Sequence, residues 1–390
     1  MAPTERSPVN RTCKKLALLV GSNPLPNYLA AVILHPSEVV LLYTPETSEP
    51  RTYLTEVLQE RGIYVTEQCI ADASDVHEIR RRCRDMNCDH LHYSGGTKTM
   101  AAQARMVFNG SDMQASYLDE RKGRLRFDDG WSIDLATTDL GLTVDLVLKL
   151  HGIEGVQPSG SVADSPTAGD VQAVLTGVLR DPSIAQKLYD DFRPGGKRRS
   201  RTDAMKEPFV PSNYGLALSV AEIPNSGWSN QQYETWEKFI TGGWLEQWIA
   251  ELIHRCLGEA SPPIEVNLRC KRKRNGHRTE FEIDIALVRG HRLYVVSCTT
   301  AQKKTLCKSK LFEVAMRSRQ MGGDLARSAL VCLLDGGDSQ GPYIEQLRAD
   351  IASLWDAPNV PRVFGLADLR EWAAMDGEPN LETLREWLNS

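Results

Sequence analysis

The sequence predicts two α/β units in tandem: a doubly wound parallel sheet over residues 1–155, and over residues 211–390 a unit ordered helix, three-strand meander, helix, strand. Three observations carry this. In the first third, short apolar runs alternate with amphipathic stretches, as expected of strands buried on both faces with helices between them. Gly, Ser, Pro and Asp crowd into residues 158–170 and a basic, breaker-rich run fills 193–201, which marks 156–210 as a flexible linker with room for one short helix at 170–191. Beyond it, strands follow one another through short turns.

In the first unit the runs Leu16-Ala17-Leu18-Leu19-Val20, Val39-Val40-Leu41-Leu42-Tyr43, Ile63-Tyr64-Val65 and His90-Leu91-His92-Tyr93 are expected strands. Residues 51–61, 75–86 and 97–108 have helical periodicity, and Asp75 followed by Glu78 has the form of a capping box. A further strand is expected at 113–119, then an appended hairpin of 124–127 and 131–135 around Asp128-Asp129-Gly130.

In the second unit a helix follows Gly242-Gly243, with Trp244, Leu245, Trp248, Ile249 and Leu252 on its apolar face. Strands are expected at 264–270, 280–288 and 293–298, turned by Asn275-Gly276 and Arg289-Gly290-His291. A helix near 306–321 leads to a buried strand at 329–334. Helices near 343–354 and 381–388, with a strand at 362–364, complete the unit.

Composition narrows the function. With 390 residues, 41% hydrophobic and 25% charged, the chain suits a soluble two-domain protein. No stretch of about 18 apolar residues suggests a membrane span. Residues 1–15 lack the apolar core of a secretion signal. The nine cysteines form no zinc pattern and are expected as free thiols in the cytoplasm. A net charge of −5 argues against indiscriminate coating of nucleic acid, while leaving room for a local basic patch such as Lys271-Arg272-Lys273-Arg274. Such a hairpin tip could follow a phosphate backbone or serve solubility alone.

Ser94-Gly95-Gly96-Thr97-Lys98-Thr99 lies where a strand passes into a helix. Glycines there let backbone approach a ligand, and the helix start offers free N–H groups beside the Lys98 charge. Gly21-Ser22-Asn23-Pro24 after the first strand, and Tyr43 and Thr44 after the second, are expected to line the same crevice. Neither Gly-x-Gly-x-x-Gly nor a Walker lysine motif is present, which disfavours an ordinary dinucleotide or nucleoside triphosphate.

Glu280, Glu282 and Asp284 recur at period two and so share one strand face, as the acids of a hard-metal site must. A solvated strand face gives the same pattern.

The Gly-Gly-Thr-Lys element with the Gly-Ser-Asn-Pro loop resembles the CRISPR-associated Rossmann fold, a sensor of cyclic oligoadenylate. Gly152-Ile153-Glu154-Gly155 and the second unit resemble the subgroup in which this sensor is fused to a PD-(D/E)XK-type nuclease of restriction-endonuclease-like αβββαβ fold. The resemblance implies a homodimer holding one ring, cyclic tetra-adenylate foremost, and a nucleic-acid-cleaving site using Mg²⁺ or Mn²⁺. It places Glu246 as the acid of the first helix, Glu282 and Asp284 on the second strand, and Ser297 and Thr299 where the family carries Glu and Lys. Asp284, Glu246 and the Cys298 carbonyl would then hold the metal. A lysine from the following helix, Lys308 or Lys310 (with Lys303 and Lys304 nearby), would replace the missing one, and Glu313 could replace an acid. Three readings stay open: a ring-gated nuclease, a regulatory or binding module on a silent nuclease fold, and a sensor that slowly opens its own ring.

Overall fold

The computed structural model describes residues 12–109, 114–156, 163–274, 277–355, 359–375 and 377–390. The chain first builds β1 (Lys15–Leu19), α1 (Leu25–Leu34), β2 (Glu38–Tyr43), α2 (Ser48–Glu60), β3 (Tyr64–Cys69), α3 (Val76–Asp85), β4 (His90–His92), α4 (Lys98–Val107) and β5 (Gln114–Asp119). The hairpin β6 (Arg124–Phe127) and β7 (Ser132–Asp134) and helix α5 (Val144–Leu150) follow. The sheet runs β3-β2-β1-β4-β5-β6-β7, parallel through β5 and antiparallel at the hairpin. β1, β2 and β4 are buried on both faces because helices cover both, and Leu16, Leu18 and Leu41 pack in one layer, Ala17, Leu19 and Leu42 in the other. The doubly wound fold is as the sequence predicts. Asp75 does cap α3, accepting from His77 N at 2.8 Å and Glu78 N at 3.0 Å. The reciprocal arm differs: Glu78 accepts from Ala71 N at 3.1 Å, so it fixes the loop before the helix.

The second sheet runs β15-β12-β11-β10-β9-β8. Its strands are β8 (Ile153–Val156), β9 (Ile264–Arg274), β10 (His277–Arg289), β11 (Arg292–Thr299), β12 (Arg327–Cys332) and β15 (Arg362–Phe364), with a small hairpin of β13 (Gly337–Asp338) and β14 (Gly341–Pro342). The helices are α6 (Ala168–Arg180), α7 (Ser183–Phe192), α8 (Arg201–Ala204), α9 (Asn230–Lys238), α10 (Trp244–Leu257), α11 (Lys304–Gly322), α12 (Tyr343–Leu354), α13 (Leu366–Trp372) and α14 (Glu382–Leu388). From α10 to β12 the order is αβββαβ, with β9, β10 and β11 an antiparallel meander and β12 parallel to β11.

Two segments sit differently from the sequence expectation. Gly152-Ile153-Glu154-Gly155 supplies β8, which pairs with β9 and so belongs to the second sheet. Residues expected as linker form α6 and α7, whose Val174, Leu175, Val178 and Leu188 are buried with Trp244, Leu245 and Ile249 of α10. The physical reason is local. Val171, Val174, Leu175 and Val178 recur at helical spacing, and Thr167 and Asp170 cap each other reciprocally at the start of α6. Asp170 also accepts from Ser219 N and its hydroxyl, which ties a later loop down. The one short helix expected at 170–191 is thus two helices, and they belong to the core of the second unit. Met113 and the Asn275-Gly276 turn lie outside the described residues, as do the side chains of Lys273 and Arg274.

Helix α5 joins the first unit to the core of the second. Val144, Val147 and Leu148 of α5 pack with Leu268, Ile283, Val295 and Val314 of the second unit. Nearby, Glu120 accepts from Asp324 N at 2.9 Å, just past the end of α11. None of the helices among the described residues is long and apolar enough to cross a membrane.

Candidate functional site

The first sheet changes direction beside β1: β2 and β3 lie on one side, β4 and β5 on the other. In such sheets the crevice for a ligand opens at the carboxyl ends of the two central strands. There the chain is bare. A Cβ on Gly95 would lie 1.9 Å from the Leu19 carbonyl oxygen and 3.0 Å from Gly21 N, so no side chain fits. Gly96 takes φ 72°, a left-handed conformation open to glycine. A Cβ on Gly21 would come within 3.2 Å of Gly96 N, so the loops after β1 and β4 touch. The Thr97 hydroxyl caps α4 by accepting from Met100 N at 3.1 Å. The Lys98 and Thr99 amides in that first turn have no intrahelical acceptor, and the exposed Lys98 has no carboxylate partner among the described residues.

Other predicted residues here hold the loops. Ser94 Oγ accepts from Leu118 N and fastens the β4 loop to β5. Thr44 is buried and, with Thr47, caps the turn after β2. The half-buried Tyr43 ring lies under Arg51, 4.8 Å from its guanidinium. Buried Pro24 precedes α1, exposed Ser22 stands at the rim, and Asn23 accepts from Leu25 N at 3.0 Å and meets the His151 ring at 3.2 Å. Asn23 also reaches the second unit: a Cβ on Gly323, just beyond α11, would come within 2.5 Å of its amide nitrogen.

The second cluster is made by side chains from five segments. Asp284 sits where β10 and β11 part, since their ladder begins only at Ile285↔Val296. On its other side the β9–β10 ladder skips Asp284 and its cross-strand neighbour Asn267, which takes φ 58°. Freed from regular pairing, Asp284 Oδ2 accepts from Cys298 N at 2.7 Å and from the Ser297 hydroxyl at 3.0 Å. Burial still holds its carboxyl above the usual range, against the pull of these two bonds and of Lys310. Glu246, in the first turn of α10, is pushed up to about 7, first by burial and then by Asp284, with Lys238 pulling the other way. Its Oε2 is buried without a hydrogen-bond partner among the described residues, and so is Asn267 Oδ1. Glu282 is exposed and paired with Lys238 at the end of α9. The Cys298 thiol is raised by burial and by both Asp284 and Glu246, which places it against the same two acids. A cleft of about 810 Å³ opens alongside, between α10 and β9, lined by Gln247, His254 and Asn267.

The cluster thus unites Glu246, Glu282, Asp284, Ser297 and Cys298, with Lys310 near Asp284 and in a 3.7 Å pair with Glu313. It leaves out others. Lys308 turns to Asp350 at 2.8 Å, Lys304 to Gln346, and Glu280 to Arg278 at 3.2 Å. The Thr299 hydroxyl accepts from Ala301 N at 3.2 Å and so shapes the turn after β11. No group of three or more His, Cys, Asp or Glu among the described residues forms a ready metal cage. Sequence reasoning missed Lys238 and Asn267. Lys238 lies 44 positions before Glu282 in the chain, and no motif marks it.

No protein-family profile matches the chain, and no curated protein matches it in sequence. Solved structures do. The chain shares its fold with Can2 from Sulfobacillus thermosulfidooxidans, solved in complex with cyclic tetra-adenylate. The TM-score is 0.66 at 17% identity, covering 96% of this chain and 98% of Can2. Protein VC1899 from Vibrio cholerae gives TM-score 0.66 at 14% identity over 96% and 98%. A type III CRISPR defence DNA nuclease activated by cyclic oligoadenylate gives 0.52 at 17%, covering 91% of this chain and 55% of that one.

Proposed function

We propose that the chain binds a cyclic oligoadenylate where β1 and β4 end, and that the loaded protein cuts nucleic acid at the Glu246–Asp284 cluster as an ancillary effector of type III CRISPR defence. The observation that carries the reading is the bare gap at Gly21, Gly95 and Gly96 beside the open first turn of α4, in a fold shared with a protein solved with cyclic tetra-adenylate. Backbone amides and Lys98 suit ring phosphates. A symmetric ring suits two copies about a twofold axis, so the assembly is a homodimer with one ring, cyclic tetra-adenylate foremost.

The second cluster suits a hard divalent cation, Mg²⁺ or Mn²⁺, by its donor chemistry. Glu246 Oε2 is buried and has no hydrogen-bond partner among the described residues, and Asp284 raises the proton affinity of Glu246, a repulsion that a cation relieves. Glu246, Asp284 and the Cys298 carbonyl would hold it. When bound, such a cation activates water and neutralises phosphate charge. The protein's own part is orientation: the Ser297 hydroxyl and Cys298 N–H fix one oxygen of Asp284, and Lys238 and Lys310 offset the acids.

The test is incubation with labelled single- and double-stranded DNA and RNA in Mn²⁺, with and without each cyclic oligoadenylate. Ring-dependent cutting that disappears in Asp284→Ala is the expected result. Ring binding without cutting of any substrate would replace the nuclease reading with that of a regulatory module, which the uncharged Ser297 and Thr299 favour. Loss of the ring itself, with no other substrate cut, would point to a sensor that opens its own ligand.

A further inference from the structure

Three acids in one cluster present a problem to any nucleic-acid strand. Glu246, Glu282 and Asp284 all repel a phosphodiester, and β11, which meets Asp284, offers only Ser297 and Cys298 to it. A cation must come from elsewhere in the fold. The lysines after β11 are mostly spent, with Lys308 held by Asp350 and Lys304 by Gln346. Lys310 stays near Asp284 but is shared with Glu313.

Lys238 comes from the opposite side. It closes α9, its ammonium group pairs with Glu282, and its charge also favours the ionised form of Glu246. Its placement is built into the backbone. α9 passes into α10 through a wide helical turn, Phe239–Gly243, that is broken at Gly242 with φ 155°. A Cβ on Gly243 would lie 3.1 Å from the Lys238 carbonyl oxygen. The two glycines let α9 and α10 meet closely enough for Lys238 and Glu246 to face the same acids. Wide turns of this kind are frequent at functional sites. Lys238 keeps about a third of its side-chain surface exposed, at 36%, as a group that meets a ligand must.

We infer that Lys238 is the cation that meets the phosphate of a nucleic-acid strand at the acid cluster, exchanging its partner Glu282 for that phosphate. The inference rests on the reading of this cluster as a nucleic-acid site. It assigns to the helix before the sheet a role that sequence reasoning gave to the helix after it.

Two measurements on the full-length protein test it, each with Lys238→Met, Lys238→Arg and Lys310→Met. The first is fluorescence anisotropy with labelled single- and double-stranded oligonucleotides, in Ca²⁺ and saturating cyclic tetra-adenylate, across a salt series. Lys238→Met should bind about tenfold more weakly, with the slope of log affinity against log salt reduced by about one, and Lys238→Arg should recover most of both. The second is single-turnover cleavage in Mn²⁺, where Lys238→Met should lower kcat about 100-fold, as loss of one charge-stabilising donor does. Melting temperatures should stay within about 2 °C, since an exposed ion pair adds little. Wild-type affinity and salt slope in Lys238→Met would overturn the inference, whether or not the protein cuts. So would losses confined to Lys310→Met. Failure of the wild-type protein to cut, with the Lys238 binding effect intact, would instead sink only the catalytic reading.

Discussion

The two candidate sites are built in opposite ways. The crevice in the first sheet is made by backbone: glycines too crowded to carry side chains, a capped helix start and one exposed lysine, all within two short loops. The acid cluster is made by side chains from α9, α10, β9, β10 and β11, spread from Lys238 to Cys298. A backbone site leaves a contiguous signature, because the residues that permit it are neighbours. A side-chain site leaves fragments, and substitution at one fragment can be answered from another. The contrast explains why Gly95-Gly96-Thr97-Lys98 forms one contiguous motif, whereas Ser297 and Thr299 stand where the resemblance leads one to expect Glu and Lys.

The largest test of this contrast is Asp284→Ala. It should reduce ring-dependent cleavage to the detection limit while ring affinity by calorimetry stays unchanged, because the hydrogen-bond partners of Asp284 among the described residues, Ser297 and Cys298, belong to the second unit. Retained cleavage would move the chemistry elsewhere. Next is Gly95→Ala, whose methyl group would collide with Leu19 O. Destabilisation by about 3 kcal/mol or more in chemical denaturation is expected, together with loss of ring binding. A well-folded Gly95→Ala protein that binds the ring normally would break the claim that backbone makes that site.

Lys98→Ala should weaken ring binding by about 1.5–3 kcal/mol, as for one charged hydrogen bond, with a stoichiometry of one ring per two chains. Unchanged affinity removes Lys98 from the site, and a monomer binding one ring per chain in light scattering and calorimetry removes the twofold arrangement.

Glu246 gives a pH test. Its folded pKa of about 7 lies above the ordinary 4.5, so the folded state holds the proton more tightly. Stability from this group is fully present below about pH 4.5 and is lost as pH rises through 7. Glu246→Gln, which mimics the protonated acid, should therefore melt higher than wild type at pH 8, by about 1–3 kcal/mol, and alike near pH 4.5. Mn²⁺ should raise the wild-type melting temperature at pH 8 and affect Glu246→Gln less. No difference between the two proteins at pH 8 would mean that Glu246 is not under the repulsion described here. The smallest effect is expected for Ser297→Ala. Removing one of two donors to Asp284 should cost about 1 kcal/mol in denaturation, with cleavage reduced rather than abolished.

Much of the fold was legible because periodicity is local. The buried runs of β1, β2 and β4, the αβββαβ order and the apolar face of α10 all follow from side-chain spacing. A helix within 170–191 is legible from the helical spacing of Val171, Val174, Leu175 and Val178, but its packing against α10 is not, because the Gly- and Pro-rich flanks give the whole stretch the composition of a linker. That Gly152-Ile153-Glu154-Gly155 would pair with β9 was not legible, since pairing partners are set by tertiary packing.

By itself, the sequence determined the elements, the glycine loops and the identity of the acids. These depend on backbone freedom and on spacing within a few residues. Tertiary structure alone decided which charges meet. It sent Lys308 to Asp350, brought Lys238 to Glu282, opened the strand ladder at Asp284 and left Glu246 Oε2 buried without a partner among the described residues. Charge interactions act through space, so the electrostatics of the cluster became fixed only when distant segments packed together.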